Sequence, residues 1–239
     1  MEAQFEKYIL PIILGLLTSV ISWGITKNLI STLLIVILFW ILYQLLKTTL
    51  LRLKELNGSE IDAIYKNQAE AENDIRALAK TASSIDILAV RGLGIIGMND
   101  SLLRESLINM KGSQLNVRIL LLDPNCDNAK QRAQEIGESY DSFRNGIRLA
   151  EKRLMDLAAK TGMKLEIHYY ETLPIWRIIS IDKCLYVSVF DQNLEGHRSV
   201  MYKLSPKRKG VLYQAFNRYF NDLYLNSISL DDKVKRNNI

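Results

Sequence analysis

The chain has 239 residues, 48% of them hydrophobic and 24% charged, with 12 glycines and only 4 prolines. That balance excludes disordered, collagen-like and low-complexity chains, and the length allows one sizeable core plus an appendage. Two cysteines and two histidines make neither a disulfide framework nor a thiolate zinc site, so a reducing setting fits the bulk of the chain and no cofactor is implied.

Charge is distributed unevenly along the chain. Residues 8–26 (YILPIILGLLTSVISWGIT) and 29–46 (LISTLLIVILFWILYQLL) contain no ionisable acid or base and are separated only by Lys27 and Asn28. At 1.5 Å per residue each run reaches roughly 27 to 29 Å, the thickness of a bilayer core, which predicts a two-helix transmembrane hairpin over residues 1–54. Tyr8 and Tyr43 lie near its outer ends and Trp23 near its turn, as interfacial anchors do. Lys7, Lys47, Arg52 and Lys54 flank the outer ends against Lys27 in the turn, so the positive-inside rule places both termini in the cytoplasm of a bacterial inner membrane. A cleaved signal sequence would lack the second run, and a hairpin buried in a soluble protein would carry a polar face. Thr18, Ser22 and Thr26 recur every fourth residue, with Gly15 and Ser19 beside them. Gly15, Thr18, Ser22 and Thr26 thus form a stripe that either oligomerises the helices and lines a pore, or packs the hairpin on itself.

The stretch 55–84 is charged and alanine-rich, with Ser59 as a good N-cap; it reads as a helical stalk. From residue 85 to 228 the pattern is that of one mixed α/β domain. The run 85–90 is a strand, 92–97 a glycine loop, 100–110 a helix, and Asn116–Leu122 a strand buried on both faces, stopped by Asp123-Pro124. Residues 128–160 are helical and break near Gly137 or Gly146. Lys164–Tyr170, Trp176–Ile181 and 185–190 alternate as strands, the last two joined by an Asp182-Lys183 turn; 199–204 is a further strand and 207–225 a closing amphipathic helix. The tail 229–239 is polar and expected to be disordered.

Gly92, Gly94 and Gly97 match GxGxxG after a strand, and Asp123 ends the next strand, where a dinucleotide fold would use it on a ribose hydroxyl. The helix that follows, capped by Asn99 or Asp100, starts too late for that pattern. A loop that merely needs unusual backbone angles is the competing reading.

Taken together, the element order, with a strand ending in Asp-Pro and the hairpin WRIISIDKCLYVSVF, resembles one half of a phospholipase D-like domain over residues 60–226. In that family an HxK motif precedes the turn, its histidine acting as nucleophile and its lysine holding the phosphate. Alignment on Ile181-Asp182 puts Ile175 at the histidine and Arg177 at the lysine, with Ser188 near the family's Gly-Ser. An aliphatic side chain cannot attack phosphorus, so the resemblance implies a non-catalytic domain that keeps a phosphate cleft. Arg91, Asp123, Tyr170, Trp176, Arg177 and Lys203 are the candidate ligand-binding residues: arginine forks for phosphate, aromatic faces for a base. The competing reading packs Trp176 in the core and pairs Arg177 with a carboxylate such as Asp182. His168 reads as structural and His197 as solvated. The net charge of +5 is shared between the first 55 residues and the rest, so nucleic-acid binding has weak support; Lys207-Arg208-Lys209 is the most basic patch.

A sensor domain joined to two spans resembles the two-transmembrane effectors of bacterial anti-phage defence, retron-type or cyclic-nucleotide-gated. The resemblance implies a toxin that, once triggered, forms a homo-oligomer in the lipid bilayer and permeabilises the inner membrane, causing abortive infection. Its trigger would be a nucleotide ligand or a partner such as a reverse transcriptase with its non-coding RNA. The alternatives are a membrane-tethered enzyme acting on nucleotides or phospholipid headgroups, and a passive anchor.

Overall fold

The computed structural model describes residues 20, 24, 29–58, 60–98, 100–109, 115–190, 196–206 and 210–237. It divides into two compact units, 1–58 and 59–239. In the first unit a single helix, α1 (Leu29–Gly58), runs for 30 residues. Leu33–Leu51 within it has a mean hydropathy of 2.0 and is long and apolar enough to cross a membrane. Leu33, Leu34, Leu38, Trp40 and Leu46 are each more than half exposed and lie on every side of the helix, so no single packing face would cover them. The hydroxyls of Thr48 and Thr49 donate to the carbonyls of Gln44 and Leu45, which satisfies them inside the helix without water. The apolar window thus extends past Leu46 to Leu51. The first expected span, with Gly15, Thr18, Ser22 and Thr26, lies outside the described residues, apart from Val20 and Gly24, which are helical.

The second unit is an eight-stranded mixed sheet in the order β1-β7-β6-β5-β2-β3-β4-β8. Its strands are β1 (Ile61–Tyr65), β2 (Ser84–Leu88), β3 (Asn116–Leu122), β4 (Lys164–Tyr170), β5 (Trp176–Ile181), β6 (Cys184–Val189), β7 (Met201–Leu204) and β8 (Ile228–Ser229). β2, β3 and β4 are parallel and all other pairings antiparallel. β3 lies inside the parallel set and its residues 119–122 are almost fully buried, as its unbroken apolar run requires.

Helices cover both faces. α2 (Gln68–Ala79), α3 (Arg104–Asn109), α4 (Asp127–Glu135) and α5 (Tyr140–Thr161) follow in chain order. Tyr186 of β6 donates to Asp74 of α2, and Tyr169 of β4 to Glu151 of α5, so α2 and α5 share one face. α6 (Leu212–Leu225) covers the other, where Trp176 meets Phe216 edge-on at 4.9 Å and Arg118 lies over the Phe220 ring at 5.2 Å. Glu60 fixes the start of α6 by accepting from the amides of Leu212 and Tyr213, a capping role supplied from 150 residues away. The long helical stretch breaks at Gly137, whose φ of +70° suits glycine.

Two expectations are corrected. Residues 55–84 are not a helical stalk: 61–65 form the edge strand β1 on β7, and α2, capped by Asn67 rather than Ser59, buries Ala71, Ile75 and Ala79 in the core. The tail is ordered as far as residue 237. β8 pairs with β4 at His168 and Tyr169, and α7 (Leu230–Asn237) follows it, with Lys233 over the Tyr169 ring at 4.1 Å and ion-paired with Asp123. Lys207-Arg208-Lys209 lies outside the described residues.

Candidate ligand-binding cleft

From β2 the chain runs outward to β3 and β4, then crosses back to β5 on the other side of β2. In open α/β sheets such a reversal leaves a crevice beyond the carboxyl ends of the parallel strands. A cleft of about 310 Å³ lies there, walled by the segment after β2, the start of β5, the end of β6 and helices α4 and α5. The volume is at the low end of the roughly 300–1,000 Å³ range of small-molecule sites.

Three guanidiniums line it: Arg91, Arg132 and Arg177. Arg91 pairs with Glu138 at 2.6 Å, lies over the Phe143 ring at 5.3 Å and passes across Gly146, where a Cβ would come within 3.3 Å of its side chain. Arg132, from the second turn of α4, pairs with Glu135 at 2.9 Å and lies over the Phe190 ring at 5.5 Å. Both carboxylates stand outside the lining, which contains no Asp or Glu among the described residues.

Arg177 differs from these two. It is 4% exposed and donates to the Gly196 carbonyl at 3.1 Å and to the side-chain carbonyl of Gln68, both neutral acceptors. Burial alone pulls its guanidinium down to about 10. Asp182 is not its partner. That carboxylate, on the tight β5–β6 turn at φ +49°, accepts from the amides and hydroxyls of Ser83 and Ser84. Although burial would raise it, these bonds hold it below the usual carboxylate range. Ile175 is 47% exposed and contributes its carbonyl to the Phe190 amide. Gly196 is required at close quarters, since a Cβ there would lie 2.5 Å from the Phe190 ring and 3.1 Å from Arg177 Cδ.

Of the six expected ligand residues, only Arg91 and Arg177 line this cleft. Asp123 is buried at the end of β3, held by Lys233 and by the Asn125 amide, and does not point a free carboxylate at a ribose. Tyr170 is buried and donates to the Ala89 carbonyl at 3.3 Å. Trp176 faces α6, because adjacent residues of a strand point to opposite faces. Lys203 pairs with Asp74 at 2.7 Å, beside the hydroxyls of Tyr65 and Tyr186. Arg132, Phe143, Phe190, Gly196 and the 92–95 segment also line the cleft, where His197 is exposed. His168 is structural, bonded to Ser227 and stacked on Tyr224 at 4.1 Å.

The glycine loop does not have the dinucleotide-fold geometry. Gly92 takes φ +74° and residues 93–97 form one π-helical turn whose amides at Ile95, Ile96 and Gly97 all return to the Gly92 carbonyl. These three amides are consumed internally, Gly92, Leu93, Gly94 and Ile95 line the cleft, and the α-helix that follows starts only at Arg104. Gly97 packs against α5, where a Cβ would meet Ala150 at an ordinary 3.5 Å and the movable end of Leu93 at 2.9 Å. Among the described residues no three His, Cys, Asp or Glu side chains gather as metal ligands.

No family model and no curated protein matches this chain. Among solved structures it is similar to TrmBL2, an archaeal chromatin protein with a novel mode of DNA binding, at 12% identity and a TM-score of 0.41, over 83% of this chain and 70% of that one. It is also similar to NucT from Helicobacter pylori, at 11% identity and a TM-score of 0.40, over 70% of this chain and 98% of that one.

Proposed function

We propose that the chain is a membrane-anchored sensor that binds a small phosphorylated ligand of the nucleotide class in the arginine cleft without hydrolysing it. In this reading the α/β unit is a phospholipase D-like half-domain, with Ile175 in place of the nucleophile and Arg177 in place of the phosphate-holding lysine. The single observation that carries it is Arg177: a buried guanidinium at the cleft wall whose acceptors are both neutral. Burying a cation with no counter-charge among the described residues is costly, and a site that does so is prepared for an anion supplied from outside. Arg91 and Arg132, already neutralised by Glu138 and Glu135, add donors and apolar walls rather than net charge.

The output is proposed to be the membrane. A transmembrane hairpin made of residues 8–26 and the α1 span would be packed by ligand binding into a homo-oligomer through Gly15, Thr18, Ser22 and Thr26. That oligomer would permeabilise the bacterial inner membrane, as an abortive-infection effector of anti-phage defence does. Differential contacts of the ligand with two states of the α/β unit would supply the bias.

The test is calorimetric titration of the full-length chain in detergent micelles with adenosine monophosphate, cyclic AMP and inorganic phosphate, followed by chromatography of the ligand. Saturable binding of a nucleotide recovered unchanged is expected. No binding of any of the three would overturn the sensor reading, and a cleaved nucleotide would establish the tethered enzyme instead.

A further inference from the structure

The two acceptors on Arg177 come from segments far apart in the chain. Gln68 is the first residue of α2, half-buried, and its side-chain carbonyl accepts from Arg177 Nη2 while its own amide donates to the His197 carbonyl at 3.1 Å. The neighbouring Gly196 carbonyl accepts from Arg177 Nη1 at 3.1 Å and from the Ser188 hydroxyl at 3.4 Å. The start of α2 and the 196–197 turn are therefore tied together around one guanidinium.

We infer that Gln68 is a built-in occupant of the anion site, its carbonyl oxygen holding the place that a phosphoryl oxygen of the ligand takes, so that binding displaces the Gln68 side chain and frees the start of α2 from Arg177. The inference rests on the sensor reading and adds its trigger. Hydrogen bonds from a guanidinium to an anionic oxygen are roughly twice as strong as those to a neutral carbonyl, so a phosphoryl group wins the exchange. A glutamine suits this role better than a glutamate. It satisfies the donor in the empty protein without neutralising the charge, which keeps the site both ordered and receptive.

The position of Gln68 gives the exchange a consequence. Nine residues separate it from Gly58, where α1 ends, and β1 lies between them. β1 is an edge strand, paired on one side only, and its register with β7 shifts between Ile61 and Ala63. A released α2 start therefore acts first on the segment that continues into the membrane helix.

Gln68→Glu and Gln68→Ala in the full-length chain, in micelles, test this. Gln68→Glu puts a permanent carboxylate on Arg177. Its thermal midpoint without ligand should rise by at least about 3 °C, and its affinity for adenosine monophosphate should fall at least about tenfold. Gln68→Ala should bind within about threefold of the parent chain or tighter, since a competitor is gone. Its ligand-free amide exchange over residues 68–75 should match that of the ligand-bound parent. An unchanged or lower midpoint for Gln68→Glu, or full affinity in that variant, would overturn the inference, as would weakened binding by Gln68→Ala. The ligand-free midpoint needs no nucleotide, so failure of the sensor reading, seen as no binding by the parent chain, stays separate from failure of the Gln68 assignment.

Discussion

Replacing Arg177 with methionine should leave the protein at least as stable while abolishing ligand binding. Burial pulls the guanidinium down to about 10, so keeping the charge in the empty protein costs on the order of a few kcal/mol. Methionine keeps most of the aliphatic stem and removes the charge. It also removes the donor to Gln68 and to the Gly196 carbonyl, each worth about 1 kcal/mol. The two sides roughly cancel, so the midpoint should stay at or above the parent's, where 1 kcal/mol is roughly 2 to 4 °C for a domain of this size. The assay is thermal unfolding of Arg177→Met beside the parent chain in micelles, followed by titration with adenosine monophosphate. A residue kept for function at the expense of stability gives a midpoint no lower than the parent's and no binding. A loss of more than about 2 kcal/mol would refute the reasoning, because Arg177 would then be a structural bridge between α2 and the 196–197 turn.

Gly196→Ala should reduce affinity and lower the midpoint, at a cost of about 1 to 3 kcal/mol, because a Cβ 2.5 Å from the Phe190 ring and 3.1 Å from Arg177 Cδ displaces cleft-lining groups; parallel titration and melting curves check this, and unchanged affinity would count against the cleft. Asp74→Asn should cost about 1 to 3 kcal/mol at neutral pH and flatten the pH profile. Burial alone would raise Asp74, but bonds from Lys203, Tyr186 and Tyr65 hold it below its ordinary 3.8, so its contribution is complete above that pH and is lost as pH falls through the lower folded value. Burial and the bond to Asp74 push Tyr65 up to about 12, so its contribution is present below pH 10 and is lost as pH climbs through 12. Chemical denaturation at pH 3, 7 and 11 should show both limbs shrinking in the variant; a profile parallel to the parent's would exclude the assignment. In vesicles, Leu38→Cys in a chain whose Cys126 and Cys184 are replaced should resist a membrane-impermeant maleimide that labels Lys47→Cys; equal labelling would remove α1 from the bilayer.

The parts of the fold legible in the sequence are those where local pattern and tertiary burial agree. β4 and β5 stand where alternation puts them, the Asp182-Lys183 turn joins β5 to β6, and Gly137 breaks the long helix. β1 was hidden because its five residues lie among helix formers, and its only signal is the alternation of Ile61, Ala63 and Tyr65 against exposed Asp62 and Ile64. α7 was hidden for a different reason. Its order comes from Lys233 reaching Asp123 and Tyr169, contacts 64 residues or more away in the chain that no local pattern encodes.

The site divides along the same line. Arg177 was legible from its register to the turn, but Arg132, Gln68 and Gly196 join it only through the topology of the sheet. Trp176 could have been excluded beforehand, since it adjoins Arg177 on one strand and must face the opposite way. Asp123 looked available because the lysine that neutralises it is 110 residues downstream.

Dye release from proteoliposomes holding the full-length chain, with and without adenosine monophosphate or cyclic AMP outside, tests most directly whether the arginine cleft governs the membrane part. The account predicts release that begins on addition of the nucleotide that binds, and none from vesicles carrying Arg177→Met. Equal leakage from both proteins without nucleotide, or intact vesicles around a parent chain saturated with ligand, would contradict it.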